Sequence, residues 1–202
     1  MINIAVFISG RGSNFIKIHE NIKSNFIKNA TISVVFSNNE NAKGLEYAKR
    51  ENIPVVIIPS KNRSDRDNYD TEIIEAIKPY NIDLICLAGY MRIVTDKLLD
   101  KYKNRIINIH PSLLPSFTGL NAQKQAIDYG VKYSGCTVHF VDNGLDTGPI
   151  ILQSVVEVSE DDNYETLSAK ILKEEHTIYS KAINLFAENK LSINGRKVEI
   201  KN

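Results

Sequence analysis

Runs of consecutive apolar residues alternate along the first half of the chain with stretches in which apolar residues recur at helical spacing. Uninterrupted apolar runs bounded by turn-forming residues are typical of strands buried on both faces of a parallel sheet. The runs are Ile2–Ser9, Ile32–Ser37, Pro54–Pro59, Asp83–Ala88 and Arg105–Ile109. Helical patterns lie between them, at about residues 13–24, 42–52, 65–80 and 95–103. The segment Ser64–Asp67, which resembles a capping box, introduces the third of these helices.

The second half of the chain has a different order of elements. A short helix is predicted over Asn121–Gly130, followed by strands over Cys136–Asp142 and Ile150–Ser159. A long helix follows at about 162–189, and the Asn-Gly pair within Leu191–Ile200 predicts a hairpin at about 191–200. Because no linker or repeat interrupts the pattern, we expect one domain over residues 1–202. Its fold is predicted as Rossmann-like α/β, a single doubly wound, mostly parallel sheet with helices on both faces.

Composition narrows the class of protein. The formal net charge is +1 over 202 residues, which argues against a nucleic-acid binder with a basic face. Cys86 and Cys136 each lie in an apolar run, so we expect buried, reduced thiols and no structural metal. The apolar N-terminus is too short for a membrane span and lacks the features of a signal peptide. The sequence therefore predicts a cytoplasmic protein that does not contact a membrane.

Three polar, glycine-containing or ring-containing loops follow predicted strands, at Gly10–Asn14, Gly89–Arg92 and His110–Ser112. In open α/β sheets, ligands bind beyond the carboxyl ends of the strands. We therefore expect these loops to converge on one binding rim.

The first loop, Ser9–Asn14, reads Ser-Gly-Arg-Gly-Ser-Asn and opens a predicted helix. Backbone N–H groups at such a helix start attract anions. Neither the dinucleotide fingerprint nor the nucleotide P-loop is complete, so a phosphomonoester fits best. A tight turn with a helix cap is the structural alternative.

Asn108 and His110 lie two residues apart at a strand end, and thus on one face. A carboxamide beside an imidazole can stabilise an oxyanion and move a proton. Asp146 lies in a turn-rich loop, Asp142–Pro149, from which its carboxylate could reach His110 and favour the imidazolium form. As turn formers, the loop residues need no functional explanation.

Glu175 lies on the apolar face of the long helix, together with Ile171 and Ile178. An inward carboxylate is costly unless it is paired or contacts a ligand. An ion pair with Arg or Lys and a ligand contact both remain open.

Four segments together resemble the folate-dependent phosphoribosylglycinamide formyltransferases of purine synthesis. They read SGRGSN, AGYMRIV, NIHPSLLPSF and VHFVDNGLDTGPII, and the similarity runs from about residue 2 to 190. The resemblance implies transfer of a formyl group from 10-formyltetrahydrofolate, as co-substrate, to the amine of phosphoribosylglycinamide, with no metal. It implies small-molecule partners only, no nucleic acid, and a monomer or weak homodimer.

The resemblance also implies roles for individual residues. Asn108, His110 and Asp146 would be catalytic. The ribose phosphate would bind Gly12, Ser13 and Asn14, and Glu175 would contact the glycinamide. The folate would bind the following residues: Arg66, Met91, Arg92, Ile93, Val94, Asn108, Asp142, Asn143, Gly144, Leu145 and Asp146.

Some features stay open at this stage. His139 matches a family histidine of undetermined role, and Thr118 and Asn121 depart from the family pattern in the loop after Pro115. The resemblance also suggests a cis bond between Leu114 and Pro115.

Three other functions compete with formyl transfer to phosphoribosylglycinamide. A formyl-folate hydrolase would use the same Asn, His and Asp; a methionyl-tRNA formyltransferase would need a nucleic-acid surface; and a phosphometabolite-binding module would need no catalytic group.

Overall fold

The computed structural model describes residues 1–201, which form a single nine-stranded sheet flanked by helices. The strands are β1 (Ile2–Ile8), β2 (Ala30–Ser37), β3 (Val55–Ile57), β4 (Leu84–Leu87), β5 (Ile106–His110), β6 (Tyr133–Phe140), β7 (Ile150–Glu157), β8 (Leu191–Asn194) and β9 (Lys197–Ile200). The helices are α1 (Ser13–Lys23), α2 (Gly44–Arg50), α3 (Arg66–Ile77), α4 (Asp96–Lys101), α5 (Ala122–Tyr129) and α6 (Tyr164–Ala187).

The strand order is β3-β2-β1-β4-β5-β6-β7-β9-β8. Strands β1 to β5 are all parallel, whereas β6 runs antiparallel to both β5 and β7. The order reverses between β1 and β4, the position at which doubly wound sheets bind ligands. The predicted fold, mostly parallel and doubly wound, is confirmed.

Helices cover both faces of the sheet and bury two separate apolar cores. One core contains Phe15 of α1, Leu45 of α2 and Ile171 of α6. The other contains Tyr69 of α3 and Leu98 of α4. The central strands are therefore enclosed on both sides, which explains why they appear in the sequence as uninterrupted apolar runs.

Several predicted boundaries differ from the structure. β3 is only three residues long, because Pro54 and Pro59 have no backbone N–H for a ladder. β6 begins at Tyr133 instead of Cys136, and Gly135 within it lies against β7 so closely that a Cβ atom would be 2.0 Å from the Ser154 carbonyl oxygen.

The cap of α3 also differs from the prediction. Asp65 is the N-cap and accepts from the backbone N–H of Asn68 at 2.9 Å, so the predicted capping box beginning at Ser64 is wrong. The expected cis bond between Leu114 and Pro115 is present. Within residues 1–201, no helix has both the length and the apolar composition to cross a membrane.

Candidate active site

Hydrogen bonds join the loops that follow β1 and β4. The backbone N–H of Ser9 donates to the Gly89 carbonyl at 3.2 Å. The Ser9 hydroxyl accepts from the backbone N–H of Met91 at 2.8 Å and donates to Oδ1 of Asn38 at 2.5 Å. β5, which carries Asn108, is the next strand of the same parallel ladder. Two of the three predicted loops therefore meet, and His110 at the end of β5 lies on the same edge of the sheet.

Glycines set the shape of the loop after β1. Gly12 is the N-cap of α1 and has a left-handed φ of 73°, which favours glycine. Gly44, at the start of α2, donates its backbone N–H to the Gly10 carbonyl at 3.1 Å, and a Cβ atom there would lie 2.6 Å from Ile8. This close contact between the loop and α2 has no signal in the local sequence pattern.

A cavity of about 310 Å³ opens at this rim. One wall is the loop Ser9–Asn14, and α6 forms another through Tyr164, Ser168 and Glu175. Gly12, Ser13, Asn14 and Glu175 are thus brought together as predicted. A second depression, bordered by Phe117, Tyr129 and Ser134, contains none of the predicted site residues.

Glu175 is 8% exposed and accepts a hydrogen bond from Nδ2 of Asn14 at 2.8 Å. Burial raises the pKa of Glu175, and the bond from Asn14 acts in the opposite direction. Neither Arg nor Lys pairs with Glu175 in the part of the chain that the structure describes, so the ion-pair alternative is wrong. A carboxylate that retains one neutral partner and borders a cavity is suited to a cationic or amine ligand.

Asn108 contacts His139 on the neighbouring strand, where the two residues are directly opposite in the β5–β6 ladder. Nδ1 of His139 faces the Phe140 carbonyl at 2.8 Å, so this nitrogen carries the proton. Nε2 then accepts from the Asn108 amide nitrogen at 3.2 Å. Burial lowers the pKa of His139, which favours this neutral form. His139 therefore orients the Asn108 amide.

His110 is enclosed between two oxygen acceptors. Nδ1 lies 3.4 Å from a carboxylate oxygen of Asp146, and Nε2 donates to the Phe117 carbonyl at 2.8 Å. The same Asp146 oxygen accepts from the backbone N–H of Gly119 at 2.8 Å. The predicted approach of Asp146 to His110 is confirmed.

The loop that carries Asp146 is closed internally by Asp142, which accepts from the Gly144 N–H at 3.1 Å and the Thr147 hydroxyl at 2.6 Å. Asn143, Gly144 and Leu145 are exposed at its tip. From the β8–β9 turn, Arg196 donates to the Thr147 carbonyl at 2.9 Å.

The loop after β4 is anchored to α3. Asp70, which is 2% exposed, accepts from the Thr95 backbone N–H at 2.6 Å. The Arg92 guanidinium lies 4.4 Å from the centre of the Tyr69 ring. Val94 packs into the core, so its side chain is not available to a ligand.

Met91 and Ile93 of this loop are exposed, at 64% and 53%, and Arg92 between them is half-buried. Arg66, the first residue of α3, is also exposed. Thr118 and Asn121 are exposed as well, and Asn121 is the N-cap of α5 with a left-handed φ of 57°.

Several residues at the site were not predicted from the sequence. Tyr164 and Ser168 of α6 border the cavity together with Glu175. Helical spacing from Glu175, at seven and eleven residues, would have indicated them. The Phe117 contact involves a backbone carbonyl and has no signal in the sequence. Within residues 1–201, no group of three or more His, Cys, Asp or Glu side chains could hold a metal ion.

The loop Ser9–Asn14 and the buried carboxylate of Glu175 border one cavity of a doubly wound sheet, and Asn108, His110 and Asp146 cluster around His139. The family model described as formyl transferase matches residues 2–183, and the chain belongs to this family. It is similar to the phosphoribosylglycinamide formyltransferase of Bacillus subtilis, with 43% identity over 91% of this chain and 93% of that one.

Solved structures agree with this assignment. The glycinamide ribonucleotide transformylase 1 of Symbiobacterium toebii has a TM-score of 0.97 and 48% identity, covering 100% of this chain and 95% of that one. A formyltetrahydrofolate deformylase from Pseudomonas syringae has a TM-score of 0.92 and 27% identity, covering 100% of this chain and 66% of that one. The chain spans only 13% to 19% of the length of the trifunctional purine biosynthetic proteins of insects and cattle that it also matches.

Proposed function

We propose that this chain transfers a formyl group from 10-formyltetrahydrofolate to the amine of phosphoribosylglycinamide, a step of purine biosynthesis. The products are the formylated glycinamide ribonucleotide and tetrahydrofolate. The observation that carries the proposal is the cavity bordered by both the loop Ser9–Asn14 and Glu175. One wall offers backbone N–H groups to an anion, and the other offers a carboxylate to an amine. A substrate with a phosphate at one end and an amine at the other matches both walls.

Asn108, His110 and Asp146 would carry the chemistry. The substrate amine attacks the formyl carbon, and the new C–N bond places negative charge on the formyl oxygen. The second N–H of the Asn108 amide is free to stabilise that charge, since the first is directed to His139. Breakage of the bond to the folate nitrogen requires one proton on that nitrogen, which His110 supplies. The attacking nitrogen loses one proton, which the carboxylate of Asp146 would accept.

The Nε2 proton of His110 is directed to the Phe117 carbonyl. Delivery of this proton to the folate therefore requires the ring and that carbonyl to separate. The loop from Leu113 to Gly119 is thus part of the proton-transfer geometry.

The folate would bind across the exposed side chains after β4 and the loop that carries Asp146. Met91 and Ile93 would offer apolar contact on one side of the folate. Leu145, which is 51% exposed at the tip of the other loop, would offer it on the opposite side. The side chains of Arg66 and Arg92 supply positive charge for the folate carboxylates. Val94, Asn143 and Gly144 would contribute backbone groups. We further propose that residues 1–202 act as one domain, in the cytoplasm, as a monomer or weak homodimer that binds no nucleic acid.

The decisive experiment is an assay with purified protein. 10-Formyltetrahydrofolate is incubated with phosphoribosylglycinamide or with water alone as acceptor, and both tetrahydrofolate and the formylated ribonucleotide are quantified. We expect stoichiometric formation of the two products, with hydrolysis at least about 100-fold slower, because a positioned nucleophile gains a large effective concentration. Folate release at equal rates without the ribonucleotide would instead identify a hydrolase.

A further inference from the structure

Asn14 lies in the first turn of α1, but its side chain is directed across the cavity to α6. Its Nδ2 donates to Oε2 of Glu175 at 2.8 Å, and both residues are 8% exposed. No other side-chain hydrogen bond to Glu175 is present among the residues that the structure describes. Asn14 is therefore the protein partner of this buried carboxylate.

This contact decides which way the Asn14 amide points. An ionised carboxylate only accepts hydrogen bonds, so the nitrogen faces Glu175 and Oδ1 points away. Oδ1 is itself buried and has no hydrogen-bond partner. An amide oxygen cannot donate to a phosphate, and the amide nitrogen lies 2.8 Å from the Glu175 carboxylate, whose negative charge disfavours a phosphate at the same place. The Asn14 side chain is thus poorly suited to the anionic end of a substrate.

We propose that Asn14 is a positioning residue for the amine end of the substrate, which holds Glu175 in the orientation that receives the amine. This inference rests on the proposed function and changes the assignment of the Asn14 side chain from the phosphate to the amine. The phosphate is then left to the Ser13 hydroxyl, the backbone N–H groups of the loop and the Arg11 side chain, which borders the same cavity.

The charges around Glu175 support the assignment of Asn14 to the amine end of the substrate and of Arg11 to the phosphate end. Burial raises the pKa of Glu175, and the hydrogen bond from Asn14 lowers it. The titratable neighbours Cys136 and Tyr179 are neutral, because burial raises the pKa of each. Arg11 is the cation that borders the cavity among the described residues. Asn14 is therefore the group that favours the ionised form of Glu175.

The test compares two ligands by isothermal titration calorimetry. Phosphoribosylglycinamide carries both ends, whereas ribose 5-phosphate carries the phosphate without the amine. We expect Asn14→Ala to weaken phosphoribosylglycinamide about 10- to 100-fold, as expected for a lost hydrogen bond to a charged group. Its affinity for ribose 5-phosphate should stay within about twofold. Ser13→Ala is the matched control and should weaken both ligands.

Two further measurements separate positioning from a general structural role. In a Glu175→Gln background, Asn14→Ala should add less than about a twofold loss, because its effect acts through Glu175. In the Asn14→Ala variant, the acidic loss of phosphoribosylglycinamide affinity should begin at a higher pH than in the wild type. Asn14→Leu, which keeps the side-chain volume, repeats the test if the alanine variant is unstable.

Equal weakening of both ligands by Asn14→Ala would overturn the inference and return Asn14 to the phosphate. An undiminished effect in the Glu175→Gln background would overturn it as well. If the wild-type protein bound phosphoribosylglycinamide no more tightly than ribose 5-phosphate, this would instead refute the proposed function, before any variant is considered.

Discussion

Asn108 and His139 are directly opposite in the antiparallel ladder of β5 and β6, and the Asn108 amide donates to the histidine ring at 3.2 Å. Since Nδ1 of His139 is committed to the Phe140 carbonyl, the ring presents a single acceptor to the amide. The hydrogen bond to His139 therefore fixes the side-chain orientation of Asn108.

Replacing His139 with Phe should lower kcat about 10-fold or more with little change in KM. The phenyl ring keeps most of the volume but removes the acceptor, and a buried donor without its partner costs about 1–3 kcal/mol. Steady-state kinetics with both substrates varied would measure this. Asn108→Ala should make the His139 substitution nearly silent; independent effects on kcat would show that His139 does not act through Asn108.

The pair of His110 and Asp146 should act as a unit. Asp146→Asn keeps the shape of the side chain and removes the charge that lies 3.4 Å from the ring, so kcat should fall about 100- to 10,000-fold. His110→Asn should cost a similar factor, and the double variant should lose far less than the product of the two. Turnover is measured against pH for all three variants.

Asp128→Asn, a change at an exposed carboxylate of α5 that pairs with Lys124, is the matched control and should leave turnover unchanged. Multiplicative losses in the double variant would remove Asp146 from the mechanism.

Glu175→Gln should fold normally and lose affinity for phosphoribosylglycinamide. The amide keeps the volume while removing a charge whose burial is unfavourable, so the free energy of unfolding should stay equal or rise by up to about 1 kcal/mol. Thermal unfolding and calorimetric titration provide the two readouts. A variant that unfolds easily but binds the substrate normally would indicate a purely structural carboxylate.

Asp70→Ala should raise the KM for the folate more than the KM for the amine substrate. Asp70 holds the Thr95 backbone N–H at 2.6 Å, and removing this buried acceptor frees the loop that presents Met91 and Ile93. A loss of about 1–3 kcal/mol in unfolding free energy should accompany the change. Asp67→Ala, at an exposed position of the same helix, is the control. Equal effects on both KM values would contradict a role specific to this loop.

Unfolding free energy should decrease as the pH falls from about 7 towards 5. Burial lowers the pKa of His139, so between the ordinary histidine pKa of 6.5 and the lower pKa of the folded state the unfolded chain binds a proton that the folded chain does not. The stabilisation is complete above this window and is lost as the pH falls through it. His19 and His176, whose pKa values burial also lowers, contribute with the same sign.

Urea unfolding at several pH values would measure this slope, which His139→Gln should reduce by at most about 1.4 kcal/mol per pH unit. Glu175 acts in the opposite direction in its own window above pH 4.5, because its pKa is raised. An identical slope in His139→Gln would show that His139 titrates alike in the folded and unfolded chains.

Local patterns predicted the strands and helices because apolar runs and helical spacing are properties of short segments. They also predicted the rim, since the carboxyl ends of parallel strands share one edge of the sheet. The contact between Asp146 and His110 was expected only as a possibility, because a turn-rich loop does not define where its carboxylate points. The structure supplies that direction.

Contacts that depend on pairing distant segments were not predictable from these patterns. The position of His139 opposite Asn108 depends on the register between β5 and β6, and Asn14 and Glu175 are 161 residues apart. The acceptor of the His110 proton is a backbone carbonyl, which every residue has, so the residue type at position 117 carries no information about it.

The hydrogen bond from Arg196 to the Thr147 carbonyl determines how the protein would respond to cleavage of the β8–β9 hairpin. The hairpin β8–β9 lies beyond the residues that the family model matches, yet it supports the loop that carries Asp146. A protease cut within Leu191–Ile200 would therefore weaken the support of the loop that carries Asp146 without removing a residue of the reaction centre. Nicked molecules should keep their core and their affinity for the ribonucleotide, while the folate side of the site becomes loose.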